Sequence, residues 1–366
     1  MTWYFAAILA LVGFMLLIVL HELGHFTAAK LVGMRVEKFA LFFGPPIWKK
    51  QVGETEYSIR TIPAGGYVKI TGMNPSEELP DEVRTRAYYS QPVWKRIVVI
   101  AAGPAVNIVV GFLLLVLYVS VIGLHKGNEV GDIAKNFPAQ GVLHPGDVLV
   151  AVDGHGGSVL DLSKQIAKHR CERQPPVNGC KATTPAKLTI DRHGKRMTVV
   201  MTPVWDAKTD PPKMRLGFTY NQNGGPHETL PLGQSIDRAG SAFWNITKQT
   251  ASIPAKILDS KQRKQINGIV GSYETTRQTI IADAGDVVLI MAIISMSLAI
   301  VNLFPFLPLD GGHIFWAVVE KIRRRPVAYS TMERSGIIGF ALVLMLFAIG
   351  LTNDIGQLSN GGFKPR

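Results

Sequence analysis

The sequence predicts a polytopic α-helical membrane protein with about four transmembrane helices, an inserted α+β domain and a short membrane-associated β region. Of its 366 residues, 47% are hydrophobic, which is high for a soluble protein. Four stretches are apolar enough to span a bilayer, and a long polar segment separates the second from the third. These stretches are Trp3–Leu20, Ile97–Leu124, Val287–Phe306 and Gly336–Leu351.

The first apolar stretch is predicted to be a retained span. It lacks a basic start and ends in His-Glu rather than in a small-residue cleavage site, unlike a cleaved signal peptide. As a helix, Trp3–Leu20 is roughly 27 Å long, close to the hydrocarbon thickness of a bilayer. The fourth stretch is shorter and needs flanking residues or local thinning to cross.

The basic residues predict the orientation in the inner or plasma membrane. The net charge is +12; residues 26–96, between the first two apolar stretches, carry eleven Lys and Arg, and Lys321–Arg325, between the last two, carries four, whereas Met1–Trp3 has none. The positive-inside rule then places both segments in the cytosol, and the N-terminus and residues 125–286 outside. Without interleaved aromatics or a binding motif, the charge predicts no nucleic-acid partner. The expected contact is the lipid bilayer.

The segment His21-Glu22-Leu23-Gly24-His25 follows the first apolar stretch directly. Histidines four residues apart lie on one face of a helix and can share a metal, with the glutamate placed to move a proton. Histidine and glutamate at membrane depth are costly, which indicates function. A chance match, or interfacial side chains that reach water, remain alternatives.

The third apolar stretch leads to Asp310-Gly311-Gly312. By the charge distribution it crosses in the same direction as the first stretch, so Asp310 meets the same membrane boundary as His21. An aspartate there can complete a site of two histidines and a carboxylate, with one position open for water. Taken alone, Asp-Gly-Gly is a turn signature.

The predicted organisation contains nine segments. These are 1–33, the first transmembrane helix; 34–95, a cytosolic or membrane-associated β region; 96–124, the second helix; 125–222, an extracytoplasmic domain; 223–285, an amphipathic linker; 286–314, the third helix with Asp310; 315–334, a basic cytosolic loop; 335–352, the fourth helix; and 353–366, an extracytoplasmic tail. Cys171 and Cys180 lie in the segment assigned outside, where a disulfide and two free thiols are both open.

The domain at 125–222 resembles a PDZ domain, because Gly141–Gly154 matches that family's turn, strand and turn pattern. Such domains bind extended chain ends by strand addition. The resemblance implies an α+β fold in which Leu216, Gly217 and Phe218 supply a turn that cradles a carboxylate. A small β domain without a ligand is the alternative.

The motifs together resemble the site-2 proteases, which are polytopic zinc metallopeptidases of intramembrane proteolysis. They are His21-Glu22-x-x-His25, Gly103-Pro104-x-x-Asn107, the PDZ-like domain and Asn302 to Gly312, in the family's order. Prolines three and six residues after Asn302 resemble the actinobacterial variant rather than the common spacing of three and five. The Gly-Pro that often precedes the third span is replaced by residues 267–271.

The resemblance implies one zinc ion per chain, held by His21, His25 and Asp310, with Glu22 as the general base. It implies single-span membrane substrates, such as anti-sigma factors already cut outside the membrane. The candidates for positioning the substrate are Asn302, Pro305, Pro308, Gly44 and Asn107. Helix packing is an equally open role for Asn107. An inactive membrane scaffold that carries a PDZ domain is the main alternative function.

Overall fold

A computed structural model describes residues 3–74, 77–173, 175–221, 224–259, 263 and 268–359. The chain forms two compact units. The first unit consists of Met1–Tyr118 and Leu232–Arg366, and the second of Val119–Pro231. Proline and glycine residues, together with the pattern of apolar residues, set the ends of most elements.

The helices of the described chain are α1 (Trp3–Leu31), α2 (Asp81–Arg84), α3 (Val93–Leu117), α4 (Val159–Lys168), α5 (Leu232–Ala251), α6 (Ile253–Leu258), α7 (Ile269–Ala282), α8 (Asp286–Asn302), α9 (Asp310–Arg323) and α10 (Tyr329–Ser359). The strands are β1 (Val36–Val52), β2 (Thr55–Ile70), β3 (Leu124–His125), β4 (Glu129–Ile133), β5 (Val148–Val152), β6 (His155–Gly156), β7 (Ala186–Arg192), β8 (Lys195–Met201), β9 (Val204–Asp206), β10 (Lys213–Arg215), β11 (Phe218–Asn221) and β12 (His227–Glu228).

Three helical segments of the described chain are long and apolar enough to cross a membrane: Ile8–Leu31, Val93–Ile122 and Ser330–Ser359. Many of their large apolar side chains are exposed, as expected for helices that face lipid. The protein is therefore an integral membrane protein. Helix α8 is apolar but only 17 residues long, so the count of four spans stays a prediction.

Helix α3 is the central helix of the first unit and packs against α1, α8 and α9. A methyl group on Gly24 of α1 would lie 2.7 Å from the Ala102 carbonyl oxygen of α3. On the opposite side, one on Gly111 would lie 3.1 Å from the Ala292 carbonyl oxygen of α8. Small residues therefore allow the helices to approach closely without a hydrophobic driving force.

Strands β1 and β2 are bent, and together they form the predicted β region. Residues 38–41 pair with 56–59 on one side and with 66–69 on the other, whereas 48–52 pair with 55–59. The bend in β1 falls at Gly44, whose φ is +85°, a conformation that glycine adopts without strain. Residues 66–70 are thereby the outer strand on one side of this region.

The second unit is an α+β unit around a six-stranded sheet. Its strand order is β11-β4-β5-β7-β8, with β6 beside β5. Leu149 and Leu188 of the sheet and Leu162 of α4 belong to a fully buried core between the sheet and that helix. Cys171 and Cys180 form a disulfide, which resolves the alternative left open by the sequence. The PDZ assignment stays a prediction.

Several predicted segment boundaries differ from the structure. The predicted third helix, 286–314, is two helices, because Pro305 and Pro308 lie in the loop between α8 and α9. The basic loop predicted at 315–334 contains the end of α9, through Arg323, and the start of α10, from Tyr329, and the linker at 223–285 is mostly helical. Helix α10 continues through 353–359 of the predicted tail, and residues 360–366 lie outside the described residues.

The domain predicted at 125–222 is wider in the structure. The compact unit runs from Val119 to Pro231 because β3 and β12, which lie near its two ends, pair with each other. Both strands contain only two residues, too few for a periodic pattern in the sequence.

Glu54 joins the β region to the end of α1. Its carboxylate accepts hydrogen bonds at 2.8 Å from Arg86 Nη1, Arg86 Nη2 and Lys30 Nζ. The Arg86 guanidinium, followed by the Lys30 ammonium, lowers the pKa of Glu54 to about 2. Because the folded-state pKa is depressed, the contribution to stability is present above the ordinary value of 4.5 and is lost as the pH falls towards 2.

We predict that Glu54→Gln lowers the thermal unfolding temperature at pH 7, and that this difference from wild type shrinks as the pH falls from 4.5 towards 2. Thermal unfolding of both proteins in detergent across this range measures the effect. Glu56→Gln is the matched control, since Glu56 contacts Lys38 at 3.7 Å. A difference that is constant with pH would contradict the assignment.

Candidate metal centre

His21, His25 and Asp310 converge in the first unit, although 289 residues separate the first from the last. The distance from His21 Nε2 to Asp310 Oδ2 is 3.2 Å, and that from His25 Nε2 to the same oxygen is 3.3 Å. The two Nε2 atoms are 3.2 Å apart. Three donor atoms therefore form a nearly equilateral triangle.

The donor set fits zinc. Ligand atoms at the corners of a tetrahedron about 2.0–2.1 Å from a central ion are roughly 3.3 Å apart, which matches this triangle. Two imidazoles and one carboxylate are a donor set typical of hydrolytic zinc sites, in which the fourth position stays open. His21 and His25 are 7% and 8% exposed, so the protein shields the centre while leaving it one accessible side.

The loop before α9 presents Asp310 to the two histidines. Asp310 is the first residue of α9, and the two glycines behind it are buried. A methyl group on Gly311 would overlap the backbone of Leu303 and Phe304, and one on Gly312 would overlap Phe306 and Leu307. The glycines are therefore needed for the close packing of this loop against α9, not only for a turn.

Two polar contacts hold α9 in place. Arg96 of α3 donates two hydrogen bonds to Glu320, at 2.9 and 2.7 Å, although Arg96 is 3% exposed. Trp316 Nε1 donates to Ser335 Oγ of α10 at 3.1 Å. A bidentate arginine–carboxylate pair has a defined geometry, so the position of α9, and with it Asp310, is fixed relative to α3.

One face of α3 supports both histidines. His25 Nδ1 donates to the Val99 carbonyl oxygen at 2.9 Å, and Gly103, one turn further, lies directly against the His25 ring. After another turn, the Asn107 side chain reaches His21 Nδ1 at 3.3 Å. Hydrogen bonds to Nδ1 orient the ring and leave the Nε2 lone pair for a metal.

The hydrogen bonding of the Asn107 amide indicates that it orients the His21 ring. Its Nδ2 faces His21 Nδ1, whereas its buried Oδ1 has no hydrogen-bond partner among the described residues. The amide oxygen and nitrogen are assigned from the hydrogen-bond network. Rotating the amide by 180° lets Oδ1 accept from His21 Nδ1–H, which is the arrangement that leaves His21 Nε2 free to bind a metal. Asn107 thus contacts the metal centre rather than the cavity.

A cavity of about 620 Å³ opens beside the three donors. Glu22 lines it next to the histidines, and the outer β strand forms one wall. A methyl group on Gly66 of that strand would lie 2.9 Å from Glu22 Cγ, so the backbone of the strand lies directly against the glutamate. Asn302 and Pro308 also line the cavity.

The remaining predicted residues lie elsewhere. Among the described residues, neither Gly44 nor Pro305 lines this cavity, whereas the neighbouring Phe43 does. The Gly44 carbonyl oxygen accepts a hydrogen bond from Arg60 Nη1 instead. Leu216, Gly217 and Phe218 line a separate groove of about 720 Å³ in the second unit, beside Val159, Ser163 and Ile166 of α4. Gly217 has a φ of +85°, as a tight turn requires.

Sequence reasoning missed two contributors, Val99 and Gly66. Val99 acts through its backbone carbonyl, which no residue type signals. Gly66 lies in a Gly-Gly pair, which in a sequence indicates a turn and gives no sign that the backbone faces Glu22. By contrast, the spacing of Gly103 and Asn107 is apparent in the sequence. That these residues contact His25 and His21 follows only from the packing of α3 against α1.

We predict that Gly103→Ala sharply reduces the bound metal per chain. The added methyl group would overlap the His25 ring, so α1 and α3 must separate or the ring must turn away. Metal analysis of the purified protein measures the effect. Gly240→Ala in α5 is the control, because its methyl group meets no described atom within 4 Å. Full metal content in Gly103→Ala would show that the ring does not depend on this contact.

Comparison with known proteins identifies the family. The model of peptidase family M50 matches residues 9–346. A protein of Campylobacter jejuni, named as a zinc metalloprotease, is 29% identical over 360 residues, which cover 93% of this chain and 91% of that protein. A similarly named protein of Clostridium perfringens is 29% identical over 354 residues, which cover 95% and 98% of the two chains.

The matched region includes His21, His25 and Asp310, and it spans nearly the whole chain. The agreement of the family model, the relatives and a donor triangle suited to zinc leads to one conclusion. The chain belongs to peptidase family M50 and is a zinc metallopeptidase.

Proposed function

We propose that this metallopeptidase cleaves transmembrane segments of single-span membrane proteins within the bilayer. One observation carries the proposal: the two histidines of the donor triangle lie on α1 within the candidate span Ile8–Leu31. A peptidase of soluble substrates has no reason to place these groups on a lipid-facing helix, where they are costly.

We propose that His21, His25 and Asp310 hold the zinc ion. The donor distances and the hydrogen bonds to both Nδ1 atoms support this assignment. When bound, zinc supplies a Lewis acid that lowers the pKa of a water molecule and polarises the scissile carbonyl. Asn107 and the Val99 carbonyl keep the two rings in the tautomer that such a site requires.

Glu22 is the proposed general base. It follows His21 directly, lines the same cavity and lies against the backbone at Gly66. From there its carboxylate can take a proton from the attacking water and deliver it to the leaving amine, as general acid–base catalysis requires.

The outer strand at residues 66–70 is the proposed substrate-binding edge. A transmembrane helix hides its carbonyl groups in internal hydrogen bonds, so the substrate must unwind locally before attack. Residues 66–69 pair with 38–41 along one edge, while Gly66, Tyr67 and Val68 line the cavity. An unwound segment could add to this strand as an extended chain, next to Glu22.

We further propose that anti-sigma factors, already cut outside the membrane, are among the substrates, and that the second unit is extracytoplasmic. In that unit β11 is an edge strand of the sheet and lines the groove beside α4. This arrangement supports binding of an extended chain end by strand addition, with Leu216–Phe218 at the carboxylate end. The active site then faces the cytosolic side of the membrane.

We predict that Glu22→Gln retains zinc but lowers cleavage of a reconstituted single-span substrate by at least about 100-fold, since proton transfer by a positioned side chain contributes on this scale. Asp310→Ala is the contrasting variant, because it removes a proposed ligand and is expected to lose both zinc and cleavage. Zinc analysis and a cleavage assay on each protein provide the measurement.

These two variants also separate the peptidase from an inactive membrane scaffold. Substantial cleavage by Glu22→Gln would refute the base assignment, whereas unchanged zinc content in Asp310→Ala would remove Asp310 from the ligands. If wild type itself holds no stoichiometric zinc and cleaves nothing, the scaffold is the better description.

We predict that Gly66→Ala lowers the cleavage rate while leaving the zinc content unchanged. The added methyl group would meet Glu22 Cγ at 2.9 Å and the Ala40 carbonyl oxygen at 3.1 Å, and it therefore displaces the glutamate but no proposed ligand. Gly233→Ala, whose methyl group meets no described atom within 4 Å, is the control. A wild-type cleavage rate in Gly66→Ala would contradict the proposal that the strand at residues 66–70 lies next to the reacting groups.

A further inference from the structure

The second unit contains a pair of histidines that the proposed peptidase mechanism does not use. His125 of β3 and His227 of β12 are direct partners across an antiparallel pair, although 102 residues separate them along the chain. Their Nε2 atoms are 3.2 Å apart, and their ring centroids are 4.2 Å apart. The Nε2 atoms of the two rings are therefore close enough to be ligands of one metal ion.

This geometry repeats that of the histidines in the metal centre. The Nε2 atoms of His21 and His25 are also 3.2 Å apart, and His25 Nδ1 faces a backbone carbonyl oxygen. Likewise, His125 Nδ1 faces the Gly225 carbonyl oxygen at 3.4 Å. A proton held at Nδ1 in this way leaves the Nε2 lone pair for a cation.

Backbone hydrogen bonds on both sides keep the pair in register. On one side, Lys126 N and Gly127 N donate to the carbonyl oxygens of Pro226 and Gly224, each at 3.1 Å. On the other side, Leu230 N donates to the Val119 carbonyl oxygen at 3.2 Å. The histidines thus lie on a fixed cross-strand frame, and a site on such a frame is preorganised.

The pair is also accessible to ions from water. Both histidines are only partly buried, and His125 lines two cavities of the second unit, of about 720 and 1060 Å³. An imidazole pair suits zinc, nickel and copper rather than magnesium or calcium. Two protein ligands leave further coordination positions for water or another ligand.

We propose that His125 and His227 form a second divalent transition-metal site, distinct from the catalytic centre. β3 and β12 lie near the two ends of the second unit, which runs from Val119 to Pro231. A metal ion bound by both strands would cross-link the entering and leaving segments and stabilise the unit by binding its folded state.

Zinc titration of the metal-free, full-length protein in detergent tests the proposal. Wild type is expected to bind two equivalents, whereas His125→Ala and His227→Ala each bind one tightly and the other at least about tenfold more weakly. His21→Ala is expected to keep the second-unit equivalent, and the double variant His21→Ala/His125→Ala is expected to lose both. His155→Ala, an exposed histidine of the same unit, is the control and keeps both.

Thermal unfolding excludes a simple loss of structure. The second equivalent is expected to raise the unfolding temperature of wild type and His155→Ala, but not that of His125→Ala. Without zinc, His125→Ala is expected to unfold at the same temperature as metal-free wild type, which shows that the substitution leaves the second unit folded. One equivalent in wild type, or two tight equivalents in His125→Ala, would overturn the proposal. The 3.2 Å contact would then be a hydrogen bond from His227 Nε2–H to His125 Nε2.

Discussion

The close contact between α1 and α3 is the constraint on which the metal centre depends. Gly24 and Gly103 let the two helices approach until the His25 ring rests on the α3 backbone. At that distance, the Val99 carbonyl oxygen and the Asn107 amide reach the two Nδ1 atoms. In lipid, where helix association relies on packing and hydrogen bonds, the same contact joins the helices and orients the ligands.

Much of the site could be predicted from the sequence because its chemistry is concentrated in few residue types. Two histidines at helical spacing and an aspartate after an apolar stretch of matching direction indicated the donor set, which the structure brings together. What could not be predicted are contributions of the backbone. The Val99 carbonyl and the close approach at Gly66 leave no trace in residue identity, and they appear only when helix and strand are packed.

The fold, like the site, could be predicted only in part. Long apolar helices were predictable from composition, yet the break between α8 and α9 was not, although its prolines were visible. The apolar stretch Val287–Phe306 runs past Pro305 without interruption, and the predicted third helix continues beyond it to residue 314. Pro305 and Pro308 end α8 instead, and this loop is what allows Asp310 to begin a new helix that faces the histidines.

The position of Asp310 at the start of α9 links the metal centre to the rest of the membrane unit. Its helix is held to α3 through the pair between the buried Arg96 and the partly exposed Glu320, and to α10 through Trp316. An ion pair with a buried member is weak support for stability, since its desolvation offsets the attraction. Its defined geometry is what matters here: α3 orients both histidines and also, through Arg96, the helix that carries the third ligand. A single helix, α3, thereby positions all three donor residues, although they are far apart in the chain.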